Sequence, residues 1–150
     1  MPPYKKPFRC EIHTPVGSRC ACDAVSVVFP AADGQYGVMG GRTPLVTMLG
    51  DGVLSVQPVK GDLQEFFMVG GFATVRENTL IILADECQAA GEIDREEAWE
   101  AIEKARAMPS ESDEEFELRL EAMDVARRRF ALVQTRGKEK REGRAASERE

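Results

Sequence analysis

Residues 65–85 read EFFMVGGFATVRENTLIILAD, and this stretch decides the fold class of the first part of the chain. It consists of three runs of strand-forming residues, separated by Gly70-Gly71 and by a turn at Glu77-Asn78. Residues 34–45 read GQYGVMGGRTPL and repeat the pattern of apolar runs punctuated by glycine. Short strands that follow one another without intervening helices are typical of antiparallel sheets.

The segments on either side of these two stretches are also strand-like. Phe8, Cys10 and Ile12 alternate with polar residues, which predicts a strand with one buried face. A second strand is predicted at residues 24–29, where Pro30 ends it. Further strands are predicted at residues 45–49 and 53–57. We therefore predict that residues 1–90 form an all-β sandwich or flattened barrel.

The hydrophobic pattern becomes helical after residue 90. Asp94, with Glu97 three residues later, predicts a capped helix start, and Ser112 with Glu115 predicts a second one. The apolar positions of the second helix then recur at threes and fours, at Phe116, Leu120, Met123, Phe130 and Val133.

This pattern divides the second part of the chain in two. Residues 91–136 are predicted to form an antiparallel two-helix hairpin, because only a short Pro-Ser-Glu link separates the helices. Residues 137–150 are rich in charge and poor in apolar residues, so we predict a disordered tail there.

The composition excludes several classes of function. The chain has 150 residues, a net charge of -6 and a pI of about 5.0, which argues against general nucleic-acid binding. No apolar run approaches the roughly 20 residues of a membrane-spanning helix, and residues 1–7 lack the apolar core of a signal peptide. Neither a dinucleotide-binding nor a Walker-type glycine motif is present, and the single histidine, His13, is predicted at a strand end. We predict a non-catalytic binding module without a cofactor.

The cysteines leave an alternative open. Cys10, Cys20, Cys22 and His13 supply the ligand types of a zinc site, so a small thiol- or zinc-dependent binding domain is one alternative function. Strand alternation explains Cys10 more simply as a buried residue, and we therefore predict no metal. A free-standing adaptor built on the helical hairpin is a further alternative.

Four short motifs occur in a characteristic order along the chain. They are the glycine-punctuated segment 34–45, the Gly-Gly-x-x-x-Val segment 70–75, the Ile-Ile-Leu-Ala-Asp segment 81–85, and the helix-opening Ile93-Asp94. In their order and spacing the chain resembles the epsilon subunit of bacterial F-type ATP synthases over about residues 8–135.

The resemblance implies a non-catalytic subunit of the central stalk, bound to the gamma subunit and to the c-ring. Such a subunit couples proton flow through the c-ring to ATP synthesis. Its C-terminal helices inhibit ATP hydrolysis by contacting the beta subunits. The resemblance also implies a peripheral position on the cytoplasmic face of the bacterial inner membrane.

The resemblance further implies positions for the interface. It places the contact with the c-ring and gamma subunit in a loop, at Gly34, Gln35, Tyr36, Gly37, Arg42 and Pro44. Within this segment Gln35 replaces an acidic residue of the family pattern, Gly40 a proline and Arg42 a histidine. The loop is therefore expected to be more positive and more flexible than in the family.

Two further sites are implied in the helices. Asp94 and Lys104 are the only candidates for an ATP site, and they are weak ones, because Glu97 stands where the family motif has an arginine. We predict weak or no binding of ATP. Arg127, Arg128 and Arg129 lie in the basic half of the second helix and are the implied regulatory contacts.

Overall fold

A computed structural model describes residues 6–41 and 44–148, with side chains described up to residue 136. The chain divides into two units, Met1–Ala89 and Ala90–Glu150. The first unit is built from strands and the second from helices, and each is described by itself below.

The described part of the first unit contains nine strands. They are β1 (Phe8–Thr14), β2 (Gly17–Ala31), β3 (Gly34–Met39), β4 (Leu45–Met48), β5 (Gly52–Pro58), β6 (Gln64–Val69), β7 (Phe72–Arg76), β8 (Thr79–Leu83) and β9 (Glu86–Ala89). The hydrogen-bonded order is β4-β7-β8-β1-β2-β5-β6-β9, with β3 added to β2. All pairs are antiparallel except β1 with β8, which is parallel. Since β4 and β9 stand at opposite ends of this order, the sheet is not closed, and the sandwich form of the prediction is confirmed.

Strand β2 is longer than predicted, because it continues through Pro30 to Ala31. It pairs with β1 near its start, and with β5 and β3 further along. The pairing with β5 ends at Val28, before the proline, so the missing N–H of Pro30 removes no bond to that strand. The Pro30 carbonyl instead accepts a hydrogen bond from the Gly50 N–H at 2.9 Å. The prediction that Pro30 ends the strand is wrong for this reason.

The core of the first unit follows the strand alternation. The buried cluster extends from Phe8 to Cys87 and contains the predicted inward residues Phe8, Cys10 and Ile12. Its largest fully buried members include Phe29, Leu54, Met68, Leu80 and Ile82. Each such side chain contributes about 1.5–3 kcal/mol through burial, so this cluster is the main stabilising element of the first unit.

The second unit begins with a 3₁₀ turn, Ala90–Glu92, followed by α1 (Arg95–Arg106) and α2 (Asp113–Glu148). Both predicted caps are confirmed. The Asp94 carboxylate accepts the N–H groups of Glu96 and Glu97 at 2.8 and 3.1 Å, and the Ser112 hydroxyl accepts that of Glu115 at 3.1 Å. Helix α1 packs along α2.

The contact between the two helices uses small residues on α1. Ala98, Ile102 and Ala105 are its buried positions, while Ala126 and Leu132 are the buried positions of α2. The rings of Trp99 and Phe130 also meet, with centroids 5.4 Å apart. The resulting apolar contact is narrow, because alanine side chains bury little surface.

Helix α2 differs from the prediction in two ways. It extends to Glu148 and therefore includes most of the segment predicted as a disordered tail. This segment consists largely of Glu, Lys, Arg and Ala, which have high helix propensity. Phe116 and Leu120, which belong to the apolar stripe predicted for this helix, are half-exposed, and the buried side chains of α2, Ala126 and Leu132, lie further along it. None of the helices in the described part of the chain is long and apolar enough to cross a membrane.

Candidate functional site

The predicted interface segment is mostly a strand. Gly34, Gln35, Tyr36 and Gly37 lie in β3 and pair in register with β2, so the prediction of a loop is wrong for them. The Tyr36 ring stacks on Phe29, with centroids 5.7 Å apart, which anchors the strand to the core. The turn that precedes β3 is tight and lies at residues 32–33.

The turn that follows β3 explains one departure from the family pattern. A Cβ atom on Gly40 would collide with the backbone carbonyl oxygen of Lys6, so only glycine fits this position. Gly41 has a φ of +79°, which also favours glycine. Arg42 lies outside the described residues, and Pro44 is exposed at the end of the turn. The glycines therefore allow a close approach of two backbones here.

A groove lies on the outer surface of β2 and β3. Its volume is about 350 Å³, and Val28, Gly37, Met39 and Gly40 are among its lining residues. Val28 faces Gly37 across the two strands, and the missing side chain of Gly37 leaves the groove open. Met39 is 54% exposed at one end of it. The groove places apolar surface next to the turn at Gly40-Gly41.

The sandwich carries a larger apolar surface that the sequence did not predict. Met48, Phe72 and Leu83 form a row across β4, β7 and β8, since Met48 pairs with Phe72 and Phe72 with Leu83. Val46 lies two residues before Met48 on the same side. These four side chains, called here the outer apolar face, are 71% (Val46), 59% (Met48), 53% (Phe72) and 54% (Leu83) exposed. Exposed apolar residues in one cluster are typical of a protein–protein interface.

The outer apolar face has a polar border on β1. Glu11 pairs in register with Ile81, and His13 with Leu83. His13 Nε2 lies 3.7 Å from Glu11 Oε1, and neither side chain is buried. An apolar centre with a polar rim is the usual anatomy of a binding surface. His13 therefore lies at the edge of this surface.

The four cysteines come together in the sandwich, but without His13. Cys10 and Cys22 are partners in the β1–β2 register, and the Cys20 and Cys22 sulfur atoms lie 3.9 Å apart. Burial, and then the neighbouring thiols Cys20 and Cys22, raise the pKa of Cys10 to about 12. Burial, Cys22 and Cys87 raise the pKa of Cys20 to about 11.

This arrangement does not assemble the alternative zinc site. His13 is held beside Glu11, on the side of β1 opposite the buried Cys10. Among the described side chains, no three or more from His, Cys, Asp and Glu are placed to hold a metal ion. The set of Cys10, Cys20, Cys22 and His13 is therefore divided between two faces of the sheet.

The two weak ATP candidates are far apart. Asp94 is the N-cap of α1, and its carboxylate is engaged by backbone N–H groups. Lys104 lies in the last turn of the same helix, ten residues later, which corresponds to about 15 Å along the axis. The structure does not bring these two side chains together.

The three consecutive arginines of α2 differ in how exposed they are. Arg127 and Arg128 are exposed, whereas Arg129 is partly buried. Arg128 forms an ion pair with Asp124 one turn earlier, at 3.1 Å. Arg127 lines a shallow surface depression with Leu120 and Met123, so a positive charge stands beside exposed apolar surface.

Comparison with known families agrees with this architecture. Residues 7–90 match the family model described as the beta-sandwich domain of the delta/epsilon chain of ATP synthase. The ATP synthase epsilon chain of Rhodopirellula baltica is 34% identical over 120 residues, which cover 80% of this chain and 93% of that one. This chain belongs to the ATP synthase epsilon-chain family. The epsilon chain of Trichodesmium erythraeum is 32% identical over 77% of this chain and 85% of its own length.

Solved structures show the same fold. A chain in the Euglena gracilis mitochondrial ATP synthase, solved with its F1 part and c-ring, has a TM-score of 0.69 at 24% identity, over 86% of this chain and 80% of its own. A chain in the central stalk and c-ring of the Tetrahymena thermophila enzyme has a TM-score of 0.62 at 16% identity, over 84% of this chain and 98% of its own. The epsilon chain is a non-catalytic subunit of a membrane-associated complex, so the prediction that this protein is not an enzyme is confirmed.

Proposed function

We propose that this epsilon chain is a rotor subunit in the central stalk of an F-type ATP synthase, bound to the gamma subunit through its outer apolar face. The observation that carries the proposal is the exposure of Val46, Met48, Phe72 and Leu83 on three paired strands. Covering these side chains removes apolar surface from water, which is the main driving force of stable association. The sandwich core beneath keeps the face rigid, so little entropy is lost on binding.

The contact with the c-ring is proposed at the Gly34–Pro44 segment. Support comes from the close backbone approach at Gly40 and from the adjacent groove beside Met39. Arg42 adds a positive charge to the sequence of this turn, and an acidic loop on the ring is its expected partner. Through these two contacts the subunit transmits rotation driven by proton flow from the ring to the gamma subunit.

The helical unit is proposed as the regulatory part. Phe116 and Leu120 are exposed on one side of the first half of α2, and Arg127 lies on the same side two turns after Leu120. This combination suits a second binding surface, for which we propose the beta subunits in a state that does not hydrolyse ATP. The whole subunit is proposed to lie at the cytoplasmic face of the bacterial inner membrane, held there by the complex.

No nucleotide site is proposed in the helical unit. The separation of Asp94 from Lys104 and the cap role of Asp94 support weak or no binding of ATP. Glu97 adds a carboxylate on the first turn, which would repel a triphosphate.

The gamma contact is tested by placing a charge on the outer apolar face. We expect Phe72→Glu to weaken binding to the cognate gamma subunit at least tenfold, which corresponds to about 1.4 kcal/mol, because a carboxylate would be buried there without a partner. Calorimetric titration of gamma with the purified chain measures the effect. The fold should be unchanged, since Phe72 is half-exposed.

Leu63→Glu is the matched control. Leu63 is 52% exposed in the connection between β5 and β6, and in the strand order β1 and β2 separate β5 from the outer apolar face. We expect its affinity for gamma to equal that of the wild type. Equal affinities for wild type, Phe72→Glu and Met48→Glu would show that gamma binds elsewhere.

A further inference from the structure

Cys20 and Cys22 are neighbours on the same side of β2. Their sulfur atoms lie 3.9 Å apart, and both side chains are only partly buried. Cys10 and Cys87, by contrast, are buried. Small reagents in water therefore reach the Cys20-x-Cys22 pair before they reach the other two thiols.

The backbone permits a bond between these two sulfur atoms. Residues two apart in a strand have Cα atoms about 6.6 Å apart, which is at the upper end of the range that a disulfide spans. The β1–β2 register also shifts at Arg19, between Ser18, the partner of His13, and Cys20, the partner of Ile12. An irregularity of this kind bends a strand, so β2 can adjust immediately before Cys20 more easily than in its regular part.

We propose that Cys20 and Cys22 form a reversible redox pair that is converted to a disulfide by small disulfides such as oxidised glutathione. In the first step one thiolate attacks the reagent, forms a mixed disulfide and releases one molecule of reduced glutathione. In the second step the other thiol attacks the mixed disulfide and releases the second molecule. The two protein thiols together lose two electrons and two protons, and one molecule of oxidised glutathione becomes two of reduced glutathione.

The surroundings of the pair set its reactivity. Burial and the thiols of Cys22 and Cys87 raise the pKa of Cys20 to about 11, while the Arg9 guanidinium acts in the opposite direction. The Cys20 thiol also lies 3.7 Å from the amide oxygen of Gln64 on β6. Little Cys20 thiolate exists at neutral pH, so exchange is slow there and faster in alkaline buffer.

The product is expected to be reduced easily. A disulfide between residues two apart in an extended strand stores strain, and strained disulfides have the more oxidising potentials. The pair is thus suited to reversible oxidation rather than to permanent cross-linking. The proposal is independent of the gamma contact, because it rests on β2 and not on the outer apolar face.

The sequence allows the pairing to be read from peptide masses. Trypsin cleaves after Arg9, Arg19, Arg42, Arg76 and Arg95. Cys10 is then alone in peptide 10–19, Cys20 and Cys22 share peptide 20–42, and Cys87 is in peptide 77–95. The reduced full-length chain is treated with oxidised glutathione in mildly alkaline buffer and is then unfolded in excess iodoacetamide before digestion.

We expect peptide 20–42 to lose two hydrogens and to take up no alkyl group, while the other two cysteine peptides are alkylated once each. Reduction before alkylation should restore two alkyl groups on peptide 20–42. In the Cys22→Ser variant the Cys20–Cys22 disulfide cannot form, and Cys20 should carry glutathione instead. The control variant, Cys87→Ser, should form the Cys20–Cys22 disulfide as the wild type does.

Two results would overturn the proposal. One is double alkylation of peptide 20–42 after treatment, which would show that the pair is not oxidised. The other is a cross-link of peptide 20–42 to peptide 10–19 or 77–95, which would show that Cys10 or Cys87 is the true partner.

Discussion

Gly71, at the start of β7, is a residue that only glycine can fill. Its φ is +105°, and a Cβ atom there would collide with the carbonyl oxygen of Leu83 on the neighbouring strand. We expect Gly71→Ala to lower the free energy of unfolding of the sandwich by about 2–4 kcal/mol, since backbone strain of about 1–3 kcal/mol adds to the displacement of β8. Urea unfolding followed by circular dichroism measures this change.

A substitution at Gly61 distinguishes the backbone strain from the collision with Leu83. Its φ of +107° is nearly the same, but a Cβ atom there would meet nothing within 4 Å. Gly61→Ala should therefore cost only the strain, about 1–3 kcal/mol, and less than Gly71→Ala by the cost of displacing β8. If the two variants were equally stable, the contact of Gly71 with Leu83 would have no role in the stability of the sheet.

At the scale of single elements, the start of α1 depends on one side chain. The Asp94 carboxylate accepts two backbone N–H groups at 2.8 and 3.1 Å, and Asp94→Ala leaves both without this acceptor. We expect a loss of about 1 kcal/mol in the stability of the helical unit. Trp99 is the only tryptophan of the chain and contacts Phe130 of α2, so its fluorescence reports this unfolding.

Asp94→Asn is the conservative control. It keeps a side-chain oxygen at the cap position and should cost only a few tenths of a kcal/mol through the loss of charge at the helix N-terminus. An equal loss in both variants would mean that the charge, and not the hydrogen bonds, stabilises α1.

The elements show what local sequence can predict. The strand runs, the turn at Glu77-Asn78 and both helix caps depend on neighbouring residues, and the sequence predicts them correctly. The sequence does not predict strand β9, because apolar and polar residues do not alternate clearly in Glu86–Ala89. This segment is a strand because it pairs with β6. The length of β2 through Pro30 likewise depends on where a distant strand, β5, stops pairing.

The candidate site was harder to predict for the same reason. Met48, Phe72 and Leu83 are far apart in sequence and resemble core residues, and only the register of β4, β7 and β8 shows that they share an exposed face. The resemblance pointed to the Gly34–Pro44 segment by motif, but Gln35 and Tyr36 belong to a strand that the glycines concealed. Local patterns predict which elements form, whereas long-range pairing decides which side chains face outward.

At the scale of the whole molecule, charge is distributed unevenly between the ends of α2. Asp113, Glu114 and Glu115 open the helix, and Arg127 to Arg129 lie in its middle. The acidic start interacts favourably with the helix dipole, but the arginines are too far from the C-terminal end at Glu148 for the dipole to explain them. Because Arg128 already pairs with Asp124 on the same helix and Arg129 is partly buried, Arg127 is the arginine of this group that is best placed to meet an acidic partner.

The proposed contact of these arginines with the beta subunits can be tested in the assembled synthase. We expect the double variant Arg127→Glu and Arg128→Glu to raise ATP hydrolysis by about two- to thirtyfold, since each exposed ion pair contributes about 0.2–1 kcal/mol. Both residues are exposed, so the helical unit should stay folded, as Trp99 fluorescence would show.

The control, Lys104→Glu with Arg106→Glu, makes the same change of charge on α1. The difference from wild type should shrink as salt increases to 1 M, where the screening length falls to about 3 Å. Equal hydrolysis by wild type and the α2 variant at low salt would rule out an electrostatic brake by these two arginines.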